Sequence, residues 1–182
     1  GMQEGVISHD QYIPCPGYYS YNNFVGKCRN HPPTHNIGRA IQFSCNTYFW
    51  HTFQKIIDKG GSSNDEANLD KFYTYMREFG LGQELGVDLP GEEDGKVPNA
   101  AFYNKIYGKN KWYSTFIISL GIGQGELLLT TLQMANMSCL LGNRGYYKTP
   151  HLVKRFENTS LDFPKDSIAV FQSSIDKQHF EH

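Results

Sequence analysis

Two places in this chain gather residue types that can do chemistry. The first is Ser44-Cys45-Asn46, set between the apolar and aromatic runs Ala40-Ile41-Gln42-Phe43 and Thr47-Tyr48-Phe49. A hydroxyl and a carboxamide two residues apart on a short break can be aimed into one cleft. A serine at its ordinary pKa is a poor nucleophile and needs a base beside it. The plainer alternative is a break between two helices, with Asn46 or Thr47 capping the second. The second place is a pool of soft ligands, Cys15, Cys28, His31, His35 and Cys45. Cys28-x-x-His31 is a compact chelating pair, and thiolates with imidazoles suit tetrahedral zinc. A Cys15–Cys28 disulfide, which fits an oxidising compartment, and free buried thiols are the other two fates open to these cysteines.

Several other runs carry less. Ser174-Ile175-Asp176-Lys177 spells Ser-x-x-Lys but has no apolar helix behind it, so it reads as a coincidence on a surface segment. In Lys148-Thr149-Pro150 the proline removes a backbone donor from any strand that must bind substrate. Gly121-x-Gly123-x-Gly125 lacks the strand, helix and downstream acid of a nucleotide fingerprint. Glu92-Glu93-Asp94 reads as a solvated turn, and Cys139 as a small core residue on an apolar helix face.

The elements that must position these residues follow from periodicity. Residues 8–36 are polar and rich in Pro, Gly, Tyr and Asn, a long loop or a few short strands that needs an internal staple. Ile37, Ala40 and Ile41, then Phe49, Phe53, Ile56 and Ile57, recur at helical spacing and predict helix over most of 38–58, stopped by Gly60-Gly61. After a polar connector over 62–68, Leu69, Phe72, Tyr73, Met76 and Phe79 predict a helix over 69–79, with Gly80 as its left-handed cap. Residues 81–111 form a turn-rich excursion, and the irregular stretch extends to 130, with 115–120 as a short strand or helical turn. Thr130 or Thr131 opens a helix over 131–142, and 146–155 suits a strand. The tail 156–182 is weakly patterned, with Phe163-Pro164 and 168–171 as possible edge pieces.

The composition narrows the class. With 182 residues, 39% hydrophobic and 19% charged, the chain has material for one domain with a core. Seventeen basic against 18 acidic residues leave a net charge of -1, which argues against nucleic acid or an anionic membrane as partner. The aromatic content of 14% can fill a core and its rim or line an extended sugar or peptide site. No apolar run approaches the roughly 18 residues a membrane helix needs. Gly1-Met2-Gln3-Glu4 has no signal-peptide character, and Gly1 reads as the scar of a cleaved tag.

Four motifs in order resemble the penicillin-binding protein transpeptidases of class B elongation type. Ser44-Cys45-Asn46 is similar to that family's Ser-x-Asn motif. Phe79-Gly80-Leu81-Gly82 with Gly86-Val87-Asp88-Leu89-Pro90-Gly91-Glu92 resembles the segment after its third helix. Gly121-Ile122-Gly123-Gln124-Gly125 and the following helix resemble its glycine-glutamine-glycine turn. Asn143-Arg144-Gly145 and Lys148–Val153 resemble the stretch leading toward its last motif. The resemblance covers roughly residues 2–155. It implies an α+β, predominantly helical fold with few strands, comprising mainly the all-helical half of a β-lactamase/DD-peptidase-like domain, here a single partial domain over 1–182.

The resemblance also implies a function. The whole protein cross-links peptidoglycan stem peptides through a serine acyl-enzyme, is acylated by β-lactams, and works at the periplasmic face of the inner membrane behind an N-terminal anchor. Ser44 and Asn46 are its proton-passing hydroxyl and substrate-holding amide. The chain is expected to begin after the Ser-x-x-Lys helix and to stop before the Lys-Thr-Gly strand, and so to be inert alone. Zinc, by the same resemblance, is held by Cys15, Cys28, His31 and Cys45 beside the Ser-x-Asn loop. A non-catalytic, zinc-stapled interaction module is the alternative, and exposed sheet edges allow self-association.

Overall fold

The helix that carries Asn46 is also the spine of its surroundings. In the computed structural model, which describes residues 1–153 and 168–181, α2 (Asn46–Ile57) buries Trp50, Phe53 and Ile57 in one core cluster and Tyr48, on its other side, in a second. It is preceded by α1 (Ile37–Gln42), capped by the Asn36 side chain. The polar loop before them contains a hairpin, β1 (Tyr18–Tyr21) with β2 (Phe24–Lys27), paired antiparallel with Tyr19 opposite Gly26. A Cβ on Gly26 would lie 2.4 Å from the Trp50 ring, so the hairpin approaches α2 this closely only with glycine there.

Two compact units make up the chain, one of Gly1–Phe72 with Pro98–Leu127 and one of Tyr73–Val97 with Leu128–Glu181. The core of the first joins Tyr19, Trp50, Phe53, Ile57 and Leu69 to Tyr103, Trp112, Ile117 and Leu120. A second cluster beside it packs Ile7 and Ile13 of the N-terminal loop on Ala40, Cys45 and Tyr48. The core of the other unit is smaller, with Leu85, Leu140 and Tyr147 at its centre.

Several expectations need correction. The connector over 62–68 is ordered: a 3-10 turn at Ser62–Asn64 leads into α3 (Asp65–Glu78), which begins four residues before Leu69. Gly80 does sit left-handed at φ 79° behind α3. The excursion over 81–111 contains α4 (Ala100–Tyr107), whose N-cap Asn99 accepts the Phe102 N–H. Residues 115–120 are helical, split between α5 (Ser114–Ile117) and a 3-10 turn. α6 (Thr131–Gly142) starts at a full capping box of Thr130 and Gln133. Of the strand expected over 146–155, the described residues form β3 (Tyr146–Lys148), which stops before Pro150 and pairs with β4 (Val170–Gln172), while residues 154 and 155 lie outside the described residues. Phe163-Pro164 lies outside the described residues.

Glu92 is no idle surface acid. Its carboxylate accepts the backbone N–H groups of Leu85, Gly86 and Val87 at 2.7, 2.9 and 3.1 Å, which folds the Leu89-Pro90-Gly91 turn back on itself. Replacing it with glutamine removes the charge from three charge-assisted bonds, and a loss of about 1–3 kcal/mol is expected by chemical denaturation. Cys139 is exposed, against expectation, because α6 turns Gln133, Asn136 and Leu140 inward instead. Gln133 is fully buried and donates to the carbonyls of Gln83 and Asp94, a polar pin inside the smaller unit.

At the start of α3 a carboxyl is buried without a partner. Asp65 is 3% exposed, and its Oδ1 has no hydrogen bond. Burial, with the nearby Asp58 charge, pushes its pKa up from 3.8 to about 6. The unfolded chain therefore loses this proton first, and stability falls as pH rises between those two values. Asp65→Asn should flatten that decline and stabilise the protein at pH 7 by about 1–2 kcal/mol in thermal or urea melts.

Candidate active-site loop and metal centre

Phe43, Ser44 and Cys45 separate α1 from α2, and the middle one has an unusual conformation. Ser44 has φ 49°, the left-handed region that favours glycine. The Ser44 N–H donates to the Ile41 carbonyl at 3.0 Å and the Cys45 N–H to the Ala40 carbonyl at 2.9 Å. These two bonds close α1 as a Schellman motif with serine where glycine is usual. Cys45 then caps α2, its Sγ accepting the Tyr48 N–H at 3.4 Å, so the cap is neither Asn46 nor Thr47. Asn46 is the first residue of α2 and half-buried; Ser44 is exposed. The local fold thus spends a strained backbone on presenting the serine side chain.

Around this junction the sulfur ligands converge. The ligand atoms of Cys15, Cys28, His31 and Cys45 all lie within 4.8 Å of one another. Every cysteine is a free thiol, so no Cys15–Cys28 disulfide is present. His35 stands apart from this group and stacks on Tyr12. The hairpin returns Cys28 beside Cys15, and its N–H closes on the Gly17 carbonyl at 2.8 Å. Cys15 Sγ donates to the Thr47 hydroxyl at 3.2 Å.

The electrostatics are those of a ligand cluster. Burial pushes the Cys28 thiol up, but backbone N–H groups of Thr47 and Asn46 and the side chains of His31 and Cys15 outweigh it, bringing its pKa to about 7. The first turn of α2 thus aims its unpaired donors at this sulfur. Burial drives Cys45 the other way, up to about 12. The His31 ring is raised by its bond to the Pro32 carbonyl, 2.7 Å from Nδ1, while Nε2 faces Cys28 Sγ at 3.5 Å. A backbone carbonyl on Nδ1 fixes the tautomer that leaves Nε2 free as a ligand, the usual outer support of a metal-binding histidine. Three thiols and one imidazole in this arrangement fit zinc. Sequence reasoning missed three supporting groups. Thr47 lies 2% exposed under Cys15, Pro32 orients His31, and Phe43 stacks flat on the His31 ring at 5.9 Å.

The family model for the penicillin binding protein transpeptidase domain matches residues 1–181. This chain belongs to the penicillin-binding protein transpeptidase family. Among curated relatives, the peptidoglycan D,D-transpeptidase MrdA of Acinetobacter baumannii is 32% identical over 85% of this chain and 22% of its own length. The Escherichia coli K12 MrdA is 33% identical over 84% of this chain and 23% of that protein. The chain therefore spans less than a quarter of the length of these two relatives. Among solved structures, Pseudomonas aeruginosa PBP2 in complex with WCK 5153 superposes with TM-score 0.74 at 28% identity, covering 98% of this chain and 37% of that one. Helicobacter pylori PBP2, at 23% identity and TM-score 0.73, shares the fold over 98% of this chain and 32% of its own. The predominantly helical, partial transpeptidase fold with few strands is what these neighbours share with the penicillin-binding protein described here.

Ser174 and Lys177 sit in different local settings in this transpeptidase-family chain. The Ser174 hydroxyl and N–H both donate to Glu78 Oε2, at 2.8 and 2.9 Å, and Lys177 opens a separate 3-10 turn.

Proposed function

We propose that these residues form the middle of the active site of a class B, elongation-type peptidoglycan D,D-transpeptidase. The observation that carries the reading is the left-handed Ser44 between two capped helices, in a chain whose relatives at 32% and 33% identity are D,D-transpeptidases. Ser44 passes a proton during acyl transfer, and Asn46 holds the amide of a stem peptide or the side chain of a β-lactam. A rigid loop serves this role because a displacement of about 1 Å in a positioning group costs on the order of 10²-fold in rate. The site belongs to an extracytoplasmic protein, and a membrane anchor is supplied by sequence outside these residues. Among the described residues no helix is long and apolar enough to cross a membrane.

Cys15, Cys28, His31 and Cys45 hold zinc in this reading. When bound, the metal supplies a cross-link between the polar loop and the start of α2. Cys45 joins three tasks: it ends the α1 cap, caps α2 and offers a ligand. Phe43, the residue before Ser44, stacks on His31 and so ties the ligand's position to the Ser44 loop.

Taken alone, the 182 residues are inert as a transpeptidase. Their only Ser-x-x-Lys run is Ser174–Lys177, and no Lys-Thr-Gly run occurs. Incubation with a fluorescent penicillin should leave no boil-resistant adduct on the gel. A stoichiometric adduct at Ser44 or Ser174 would overturn this part of the reading. Zinc binding with no effect of Asn46 on acylation in a completed domain would favour the interaction-module alternative.

A further inference from the structure

Three of the four ligands at the head of α2 are thiols, and thiols this close have a second chemistry open to them. The sulfurs of Cys15, Cys28 and Cys45 lie within 4.8 Å of one another, all as free thiols. Side-chain rotation in a loop can close such a gap to the roughly 2.05 Å of an S–S bond. The three are not equivalent. Cys45 is 0% exposed, and the Tyr48 N–H donates to its sulfur at 3.4 Å. Cys15 and Cys28 are partly buried and line one open cleft with Arg29 and His31, a cleft that Cys45 does not line.

The hairpin selects the pair. Its strands run antiparallel from Tyr18 opposite Lys27, and the Cys28 N–H donates to the Gly17 carbonyl at 2.8 Å. Cys15 and Cys28 therefore stand at the two ends of one closed loop, and joining them leaves α1 and α2 where they are. Joining either to Cys45 would disturb the cap of α2 and the cluster of Ile7, Ala40 and Tyr48 around it. Cys15 also holds the loop to α2 directly, because its S–H donates to the Thr47 hydroxyl at 3.2 Å.

We propose that Cys15 and Cys28 are a reversible redox pair whose oxidation unfastens the polar loop from the Ser44–Asn46 turn. The zinc and the role of that turn rest on the proposed function; the disulfide itself does not. Hydrogen peroxide serves as the oxidant, in a compartment where thiols are not kept reduced. One sulfur of the pair attacks a peroxide oxygen, the O–O bond breaks, and water leaves with the thiol proton, which gives a sulfenic acid. The second sulfur attacks the first, the S–O bond breaks, another water leaves, and the S–S bond forms. Two thiols and one peroxide become one disulfide and two waters. Only His31 and Cys45 then remain of the four ligands, and the Cys15 S–H is no longer there for Thr47. A thiol reductant reverses both changes.

The test uses the Cys139→Ser chain, which lacks the exposed thiol and keeps the other three. Reduced protein is incubated with zinc, freed of excess metal, treated with a small excess of hydrogen peroxide, and followed by thiol titration, a chromogenic zinc indicator and peptide mapping. Two thiols and the whole zinc equivalent should be lost, with Cys15 and Cys28 recovered in one cross-linked peptide pair. Dithiothreitol should restore both the thiols and zinc binding. Adding Cys28→Ser should prevent the cross-link, and if that variant fails to fold, the mapping decides without it. A Cys15–Cys28 disulfide in protein that held no zinc beforehand would keep the redox pair and sink the zinc reading. Three thiols and zinc retained, a cross-link to Cys45, or single sulfurs oxidised beyond the sulfenic state with no cross-link would each overturn the proposal.

Discussion

Replacing Cys45 with alanine is expected to abolish stoichiometric zinc binding and to destabilise the chain by more than about 4 kcal/mol, whereas Cys139→Ala should change stability by less than about 0.5 kcal/mol. Both residues are free cysteines, but their surroundings are opposite. Cys45 is fully buried, receives the Tyr48 N–H, and lies with three other ligands inside 4.8 Å. Cys139 is exposed on α6. Removing Cys45 leaves an orphaned N–H at the head of α2, a small cavity beside Tyr48, and a ligand set of three. If the variant fails to fold, Cys28→Ser gives the same reading with less damage to the core, because Cys28 is only partly buried. Elemental analysis of purified protein should find about one zinc per chain in wild type. Acid or a strong chelator should release it with protons taken up by the thiolates, and the 8–36 loop should become protease-sensitive first. Protein without zinc and with two thiols fewer than four would mean a disulfide instead. Zinc bound through His35 would show that His31 was the wrong choice.

The second large effect concerns Asn46. In a chimera that carries these residues in place of the matching stretch of the Escherichia coli relative, Asn46→Ala should slow acylation by a fluorescent penicillin about 10²–10³-fold. Its melting temperature should move little, because Asn46 is the first residue of α2 and only half-buried, and the cap itself is Cys45. Ser44→Gly should do the opposite in part. Glycine relieves the left-handed strain at φ 49° and should stabilise the junction slightly, while acylation falls with the loss of the hydroxyl.

Much of this arrangement was legible in the sequence where one force dominates. Phe49, Phe53, Ile56 and Ile57 announce α2 because an apolar stripe has nowhere else to go, and Thr130 or Thr131 marks the start of α6, where the structure adds a capping box of Thr130 with Gln133. The ligand pool was legible because Cys and His crowd a loop that lacks a core of its own. What escaped was decided by polar contacts and by facing. α4 was hidden inside a turn-rich stretch, although Asn99 before Ala100 and the spacing of Tyr103 and Tyr107 are a cap and a stripe. Asn46 and Thr47 looked like caps because cysteine rarely is one; only the closeness of sulfur to the Tyr48 N–H assigns the role to Cys45. Cys139 was placed inside because α6 carries apolar residues on more than one side, and the inward choice is fixed by buried Gln133 and Asn136, which periodicity of apolar residues cannot weigh. Glu92 looked solvated because its three backbone donors become neighbours only once the turn has formed.

The central claim is that Ser44 and Asn46 serve a nucleophile lying outside these 182 residues, and the position of the acylated serine in the chimera tests it most directly. Penicillin labelling followed by peptide mapping should find one modified serine, located in the flanking sequence on a Ser-x-x-Lys helix, with the isolated chain unlabelled. A modified serine at Ser44, Ser174 or any other position within these residues would contradict the account.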